Sequence, residues 1–164
     1  MTVHSQPLHI VLYEPEIPPN TGNLIRLCAN TGAGLHLVEP LGFSLEEKAL
    51  RRAGLDYHET ARVQVHATLS DCLAVLGKGR ESLRVFAVST RGSVAYHQPD
   101  YQPGDVLLFG PESRGLPEAV LEGPEVTARV RIPMQADSRS LNLSNAVAII
   151  TYEVLRQLDF PALL

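Results

Sequence analysis

Two polar loops in the last third of the chain carry most of the side chains that could do chemistry. The first, Gly110–Leu116, follows the apolar run Val106–Phe109. The second, from Pro133 to Asn145, follows the apolar run Val126–Ile132 and leads into a long apolar stretch. In an open parallel sheet, ligands bind outside the carboxyl ends of the strands. We therefore predict a ligand site that is built from these two loops.

The candidate groups of this site are amide, carboxylate, hydroxyl and guanidinium side chains. They are Asn20 and Arg26 in a predicted first helix, Glu112 and Arg114 in one loop, and Arg139, Ser140 and Asn142 in the other. Gly110 and Gly115 would let the backbone approach a ligand closely or take a positive φ angle. Ser140 is a candidate N-cap for the last helix. On spacing alone, Arg26 is more readily explained as a solvated helix arginine. The alternative for Glu112 is a plain surface acid, and for Asn142 and Ser144 it is a capping role only. The residues by themselves predict a polar site without assigning it a reaction.

Several kinds of site are disfavoured because their motifs are missing. No GxGxxG follows a strand and no GxxxxGK[ST] occurs, which argues against a Rossmann dehydrogenase and a P-loop NTPase. The segment from Gly110 to Gly115 is similar to a GxSxG nucleophile elbow, but it has one residue too many before Ser113, so a serine hydrolase is a weak alternative. The six histidines are scattered along the chain, and none is paired at i, i+3 or i, i+4. We therefore expect no metal site.

Composition is ordinary for a single globular domain, with 164 residues of which 45% are hydrophobic and 20% charged. No apolar run reaches the roughly 18 residues that a membrane span requires, and the first residues lack the pattern of a signal peptide. Cys28 and Cys72 are expected to be buried free thiols in a cytoplasmic protein. The net charge of −4 argues weakly against nucleic-acid binding. Of the 14 Lys and Arg residues, however, only Lys48 and Lys78 are lysines, and arginine suits phosphate well.

Strand-like and helix-like segments mostly alternate, which predicts an α/β fold with a mostly parallel sheet flanked by helices. We expect one domain over residues 1–164, with 1–7 as a short N-terminal extension. The predicted strands are Leu8–Tyr13, Leu35–Val38, Val63–Val65, Leu83–Val88, Val106–Phe109 and Val126–Ile132. The predicted helices are Asn20–Asn30 with an Asn20-Thr21 cap and Gly32 as its stop, Leu45–Ala53 capped by Ser44, Ser70–Leu76, and a last helix that ends near Leu158. The segment Asp56–Glu59 has no clear structure, and Gly92–Pro103 is expected to be a loop. The last helix is apolar most of the way round, which favours contact with a second subunit.

The polar segments resemble the three motifs of the SPOUT 2′-O-methyltransferases, in the same order. The matching segments are Asn20–Arg26, Phe109–Leu116 and Ile132–Ser144. Two further segments, Tyr13–Asn20 and Arg51–Glu59, resemble the TrmL-type tRNA wobble-nucleoside (cytidine/uridine) 2′-O-methyltransferases within that family. The resemblance covers nearly the whole chain, from about Leu8 to Gln157. It implies transfer of a methyl group from S-adenosylmethionine to the ribose 2′-hydroxyl of the wobble nucleotide, without a metal.

The resemblance also implies a fold, partners and roles for the candidate residues. The fold would be a parallel sheet whose C-terminal part forms a trefoil knot (the SPOUT fold), and the protein would act as a homodimer on the tRNA anticodon stem-loop. Catalysis would fall to Arg26, with Asn20, Glu112 and Asn142. The residues implied for the methyl-donor pocket are Val88, Gly110, Ile132, Ser140 and Leu141. The arginines we expect at RNA phosphates are Arg51, Arg52, Arg114 and Arg139. A binding module that holds RNA or the donor without turnover is the alternative.

Overall fold

A parallel sheet with helices on both faces forms the described part of the chain, which comprises residues 6–46, 52, 54 and 62–164 of a computed structural model. The strands are β1 Leu8–Tyr13, β2 Gly34–Val38, β3 Val63–His66, β4 Val85–Val88, β5 Val94–Ala95, β6 Asp105–Phe109 and β7 Ala128–Arg131. The helices are α1 Pro18–Thr31, α2 Leu69–Gly77, α3 Glu118–Leu121 and α4 Leu143–Gln157.

The sheet order is β3-β2-β1-β6-β4-β7-β5, and every strand pairing in it is parallel. All strands of a parallel sheet run in the same direction, so their carboxyl ends lie on one side of the sheet and the loops after neighbouring strands meet there. The neighbours β6, β4 and β7 end at Phe109, Val88 and Arg131. The sequence prediction of an α/β fold with a mostly parallel sheet is confirmed. The trefoil knot stays a prediction.

Successive residues of each strand point to opposite faces of the sheet and contribute to two apolar layers, one on each face. In β1, Ile10 belongs to the layer that α1 and α4 cover. Val11, the next residue of β1, belongs to the layer that α2 and α3 cover. Because both faces are covered, β1, β2 and β6 are almost continuously buried and apolar, as is usual for parallel sheets.

Helix α4 packs most of its apolar surface within its own chain. The residues that it buries are Val147, Ile150, Thr151, Val154 and Leu155. Two apolar residues of the helix stay exposed, Ile149 at 38% and Tyr152 at 46%. The apolar character of this helix is therefore explained mainly by the core of the chain, and contact with a second subunit stays a prediction that concerns Ile149 and Tyr152.

Two helix starts differ from the sequence prediction. Helix α1 begins at Pro18, before the predicted Asn20-Thr21 cap, and its N-cap residue Ile17 makes no side-chain cap. Prolines are compatible with the first helical turn, because the backbone N–H groups there have no partner within the helix. Helix α4 begins after Asn142, whose side chain accepts a hydrogen bond from the Asn145 N–H, so Asn142 and not Ser140 is its N-cap. Gly32 ends α1 with a φ of 80°, as predicted.

Two short elements were not predicted. Strand β5, Val94–Ala95, lies inside the predicted loop Gly92–Pro103 and pairs with β7 at the sheet edge. Helix α3 has four residues, too few for a periodic signal. The predicted helix Leu45–Ala53 and the segment Asp56–Glu59 lie largely outside the described residues. No helix in the described ranges is long and apolar enough to cross a membrane.

Uncharged polar groups are buried on the face of the sheet under α2. Both cysteines are free and buried, as predicted, and Cys72 is the one that lies on this face. Burial raises the pKa of the Cys72 thiol to about 12, so this group is protonated at neutral pH. Burial, helped by His9 and His66, lowers the pKa of His36 to about 3, so its imidazole is neutral. Burial also lowers the pKa of His66.

Candidate active site

A cavity of about 620 Å³ opens where strands β4, β6 and β7 end. This volume lies within the range of roughly 300–1,000 Å³ that is typical of small-molecule sites. Every position implied for the methyl-donor pocket lines the cavity, namely Val88, Gly110, Ile132, Ser140 and Leu141. Of the four residues implied in catalysis, Asn20, Glu112 and Asn142 line it as well. The two loops singled out in the sequence therefore meet, together with the loop that follows β4.

The loop from Gly110 to Gly115 folds back on itself directly after β6. The Gly115 N–H donates to the Pro111 carbonyl over 2.9 Å, and Gly115 has a φ of 68°, which glycine adopts without strain. A Cβ atom at Gly110 would overlap the backbone of Gly115 and Leu116. Gly110 is thus required by the loop's own backbone, and Gly115 by its left-handed conformation.

Glu112 caps the start of α1 from a distance of 95 residues in the sequence. Its carboxylate accepts hydrogen bonds from the N–H groups of Glu16 at 2.9 Å and Ile17 at 2.5 Å. A third bond comes from Asn20 Nδ2 at 3.3 Å. A negative charge at a helix N-terminus is favourable because the free N–H groups there carry partial positive charge. Glu112 therefore fixes α1 to the cavity loop.

Asn20 joins three segments at one wall of the cavity. It is 5% exposed, donates to Glu112 and accepts at Oδ1 from Asn142 Nδ2 at 3.1 Å and from Ser144 Oγ at 2.8 Å. We call Asn20, Glu112, Asn142 and Ser144 the Asn20 junction. Ser144 was not among the predicted site residues, although it ends the third motif. Because Asn20 bonds to all three of the other side chains, the junction fixes the relative positions of α1, the first loop and α4.

Ser113 and Glu16 form a second link between the same two segments. The Glu16 carboxylate accepts from the backbone N–H and the hydroxyl of Ser113, at 2.9 and 2.7 Å. These hydrogen bonds, the hydroxyl's first, lower the pKa of Glu16. A serine nucleophile needs a base such as histidine. None of the described residues that line the cavity is a histidine, so the serine-hydrolase alternative has no support.

The predicted arginines are dispersed. Arg26 is exposed and its Nη2 donates to the Gly54 carbonyl at 2.8 Å, and it is not among the residues that line the cavity. Arg114 and Arg139 both line the cavity, and Arg114 also forms an ion pair with Glu14 at 3.3 Å. Arg52 is exposed, and Arg51 lies outside the described residues. Two of the four predicted phosphate contacts thus sit at the mouth of the site.

The cavity lining has the apolar and polar residues that S-adenosylmethionine would need. Val88, Ile132 and Leu141 offer apolar surface for an adenine ring, and the loop 110–116, Ser140 and Asn142 add polar residues to the lining. The donor set contains no histidine or cysteine, and its one carboxylate, Glu112, is occupied by three hydrogen bonds. A metal ion therefore finds no suitable ligand set among the described residues of this cavity.

Comparison with known proteins agrees with this geometry. The model of the SpoU rRNA Methylase family matches residues 7–152. A protein of Methylovorus glucosotrophus, named tRNA (cytidine(34)-2′-O)-methyltransferase, is 59% identical over 151 residues, which are 92% of this chain and 96% of that protein. A solved structure described as "Structural insights into the 2-OH methylation of C/U34 on tRNA" is 47% identical, with a TM-score of 0.82 over 93% of this chain and 96% of the other.

A second solved structure, an AdoMet-bound rRNA methyltransferase of Sinorhizobium meliloti, has a TM-score of 0.76 and 26% identity. It is matched over 96% of this chain and 61% of its own. The resemblance that the three polar motifs suggested is confirmed. With a family model that matches most of its length and a relative above half identity, the chain belongs to the SpoU rRNA Methylase family.

Proposed function

We propose that this chain transfers a methyl group from S-adenosylmethionine to the ribose 2′-hydroxyl of nucleotide 34, the wobble position of a tRNA, where that nucleotide is cytidine or uridine. The main support is the relative that carries this activity in its name and is 59% identical over nearly its whole length. The cavity also supports it, because the five positions implied for donor binding line one site.

The donor is an activated sulfonium, so the reaction needs alignment of the attacking oxygen and loss of one proton rather than a metal. Alignment in a fixed geometry contributes up to roughly 7–11 kcal/mol in favourable systems. Residues of the two loops and of the loop after β4 hold the donor, namely Val88, Gly110, Ile132, Ser140 and Leu141. The Asn20 junction keeps these loops and α1 in fixed relative positions during the reaction.

Arg26 orients the 2′-hydroxyl and stabilises the negative charge that develops on it. A guanidinium has a pKa above about 12 and is a poor base, so we assign it this role rather than proton removal, and an RNA phosphate assists the proton's departure. Asn20, Glu112 and Asn142 act as positioning residues, since Asn20 is hydrogen-bonded to both Glu112 and Asn142. Arg26 does not line the cavity of its own chain, which favours a role in the cavity of a partner subunit.

The chain works as a homodimer in this proposal, with Ile149 and Tyr152 of α4 in the contact. Both residues are apolar and exposed on a helix whose other face is buried. Tyr152→Asp should shift the protein to monomer in light scattering, and Val75→Asp, an equally exposed apolar position on α2, should not. Equal behaviour of the two variants would contradict the assigned interface. The cytoplasmic location and the trefoil knot also remain predictions.

RNA binding by this acidic chain relies on local arginines. Arg114 and Arg139 at the cavity mouth are the described candidates, with Arg52 and Arg51 as further predicted contacts. If they contact phosphates, binding of an anticodon stem-loop should weaken with salt, with a log–log slope of about −0.7 per phosphate. Each Arg→Ala change should flatten that slope by about one phosphate. A slope unchanged in Arg139→Ala would remove this residue from the interface.

The activity is tested by transfer of labelled methyl to unmodified tRNA, followed by nucleoside mass spectrometry. We expect a 2′-O-methylated cytidine or uridine at position 34. Arg26→Ala should abolish transfer while donor binding persists, and Arg26→Lys should recover little because lysine lacks the planar fork. The matched control is Arg62→Ala, since Arg62 is exposed at the amino end of β3, opposite the edge where the cavity opens.

Two outcomes separate the alternatives. Donor and RNA binding without transfer would identify a binding module rather than an enzyme.

Co-expressed Arg26→Ala and Gly110→Ala chains form mixed dimers in which one cavity combines an intact donor pocket with the partner's Arg26. Recovered activity in this mixture would place Arg26 in the partner's site, and no recovery would place it in its own.

A further inference from the structure

Three side chains of metal-ligand type meet in the half of the sheet away from the cavity. They are His36 in β2, His66 at the end of β3 and Cys72 in α2, which we call the His–Cys cluster. One donor atom of each lies within 4.8 Å of the other two. His36 Nδ1 and His66 Nε2 are 3.1 Å apart, and their rings stack with centroids 5.3 Å apart.

The fold holds this cluster on rigid elements. Strands β2 and β3 pair in parallel with Val38 opposite His66, and His36 lies two residues before Val38, so both rings project from the same face. Helix α2 covers that face, starts at a Thr68 cap and places Cys72 on its buried side. Sites built on strands and helices keep their geometry better than sites built on loops.

The cluster is not satisfied by hydrogen bonds among the described residues alone. His36 is 1% exposed, Cys72 is 0% exposed and His66 is 9% exposed. The hydrogen bond between the two rings uses one nitrogen of each, and the other nitrogen of His36, Nε2, is buried with no hydrogen-bond partner in the described ranges. Buried polar groups of this kind normally have a partner, so the hydrogen bonding of the His36 ring is incomplete. An ion between the two rings would use the facing nitrogen, Nδ1, in place of the bond to His66.

The donor types determine which ion would fit. Two imidazoles and one thiolate suit Zn²⁺, while Mg²⁺ and Ca²⁺ prefer oxygen ligands. Zn–N bonds of about 2.0–2.1 Å and Zn–S bonds of about 2.3 Å in a tetrahedral arrangement place the donors roughly 3.3–3.6 Å apart. The two facing nitrogens are already near that separation, and all three donor atoms lie within 4.8 Å of one another, so small side-chain rotations can bring them to it.

We propose that His36, His66 and Cys72 bind one Zn²⁺ ion that fastens α2 to the edge of the sheet. The histidines bind as neutral imidazoles. The Cys72 thiol loses its proton to solvent when the sulfur–zinc bond forms, and the fourth position is left for a water molecule. The ion stabilises the fold and takes no part in methyl transfer, although zinc with a water in its fourth position is more typical of catalytic sites.

The test is metal loading of the full chain after removal of metals with a chelator. We expect the chain to bind about one Zn²⁺, with a rise in the melting temperature that the chelator reverses. Loading with Co²⁺ should give a thiolate-to-cobalt charge-transfer band. Cys72→Ser and His66→Gln should bind Zn²⁺ at least about tenfold more weakly, because each removes a ligand.

Cys28→Ser is the matched control. Cys28 is the other buried free cysteine, and it lies in the apolar layer on the opposite face of the sheet. It should bind Zn²⁺ like the unaltered chain. The proposal is overturned if the unaltered chain retains no Zn²⁺, if the cobalt spectrum lacks the thiolate band, or if Cys28→Ser loses the ion as well. Should Cys72→Ser fail to fold, His66→Gln and the cobalt band of the unaltered chain still decide.

Discussion

The Asn20 junction and the His–Cys cluster each join segments that are far apart in the sequence, but they differ in how their polar groups are satisfied. In the junction, the Asn20 side chain donates once and accepts twice, and Glu112 accepts three hydrogen bonds. In the cluster, two rings share one hydrogen bond and His36 Nε2 has no partner in the described ranges.

This difference indicates different uses. A saturated polar network stabilises one arrangement of the backbone, which suits a wall that must hold loops around a ligand. In the cluster, two imidazole nitrogens that face each other near a thiol can exchange their shared hydrogen bond for coordination to an ion. The junction is therefore expected to respond to the loss of any one member, and the cluster to the addition or removal of an ion.

A substitution in the loop that carries Glu112 is expected to disrupt the Asn20 junction most. In Gly110→Ala the new Cβ overlaps backbone atoms of Gly115 and Leu116, which cannot rotate away, so the loop must shift. We expect a loss of about 3 kcal/mol in the free energy of unfolding and at least tenfold weaker binding of S-adenosylhomocysteine. Urea unfolding and calorimetry measure the two effects. Gly77→Ala is the control, since its Cβ would meet only Leu83 at 3.9 Å.

A change at Asn20 tests whether the junction depends on its donor. Asn20→Asp keeps an acceptor for Asn142 and Ser144 but places a second carboxylate beside Glu112, where Asn20 Nδ2 now donates over 3.3 Å. We expect a loss of about 2–3 kcal/mol on urea unfolding, because an unpaired charge would be buried. Asn30→Asp, at an exposed position of the same helix, should cost only a few tenths. Equal losses would mean that the hydrogen bonds of Asn20 contribute nothing.

Removal of the carboxylate tests the remote cap of α1. Glu112→Ala leaves the N–H groups of Glu16 and Ile17 without this acceptor and should cost about 1–2 kcal/mol, with a larger fall in methyl transfer than in donor binding. Glu112→Gln keeps an acceptor and should recover part of the loss. Glu122→Ala, on the exposed end of α3, should leave both stability and transfer unchanged. A stable Glu112→Ala with normal transfer would contradict the capping role.

The smallest expected effect is at Ser113. Its hydrogen bonds lower the pKa of Glu16, so they stabilise the fold above the unfolded-state pKa of the carboxyl, and this contribution is lost as pH falls through the folded-state pKa. In Ser113→Ala the hydroxyl bond is gone and the Glu16 pKa should rise towards its ordinary value, while methyl transfer persists. An NMR titration of the Glu16 carboxyl carbon measures this. An unchanged pKa would mean that the hydroxyl bond is absent in solution.

The sequence by itself determined the architecture and the place of the site. Periodic apolar runs and turn residues predicted the alternation of strands and helices, and the position of polar loops after Phe109 and Ile132 located the cavity. Local signals of this kind depend on a few neighbouring residues, so one sequence is enough to read them. The element boundaries were less certain: α1 starts at Pro18 and α4 is capped by Asn142, because the contacts that select a cap come from elsewhere in the chain.

Only the tertiary structure decided which distant side chains meet. The carboxylate that caps α1 comes from the loop after β6, and the sheet order β1-β6-β4-β7 brings that loop beside the helix. Histidines that are 30 residues apart, and isolated by every spacing rule, face each other because β2 and β3 are neighbours in register. Pairing of parallel strands depends on long-range packing rather than on local propensity, so no spacing in the sequence could predict either contact.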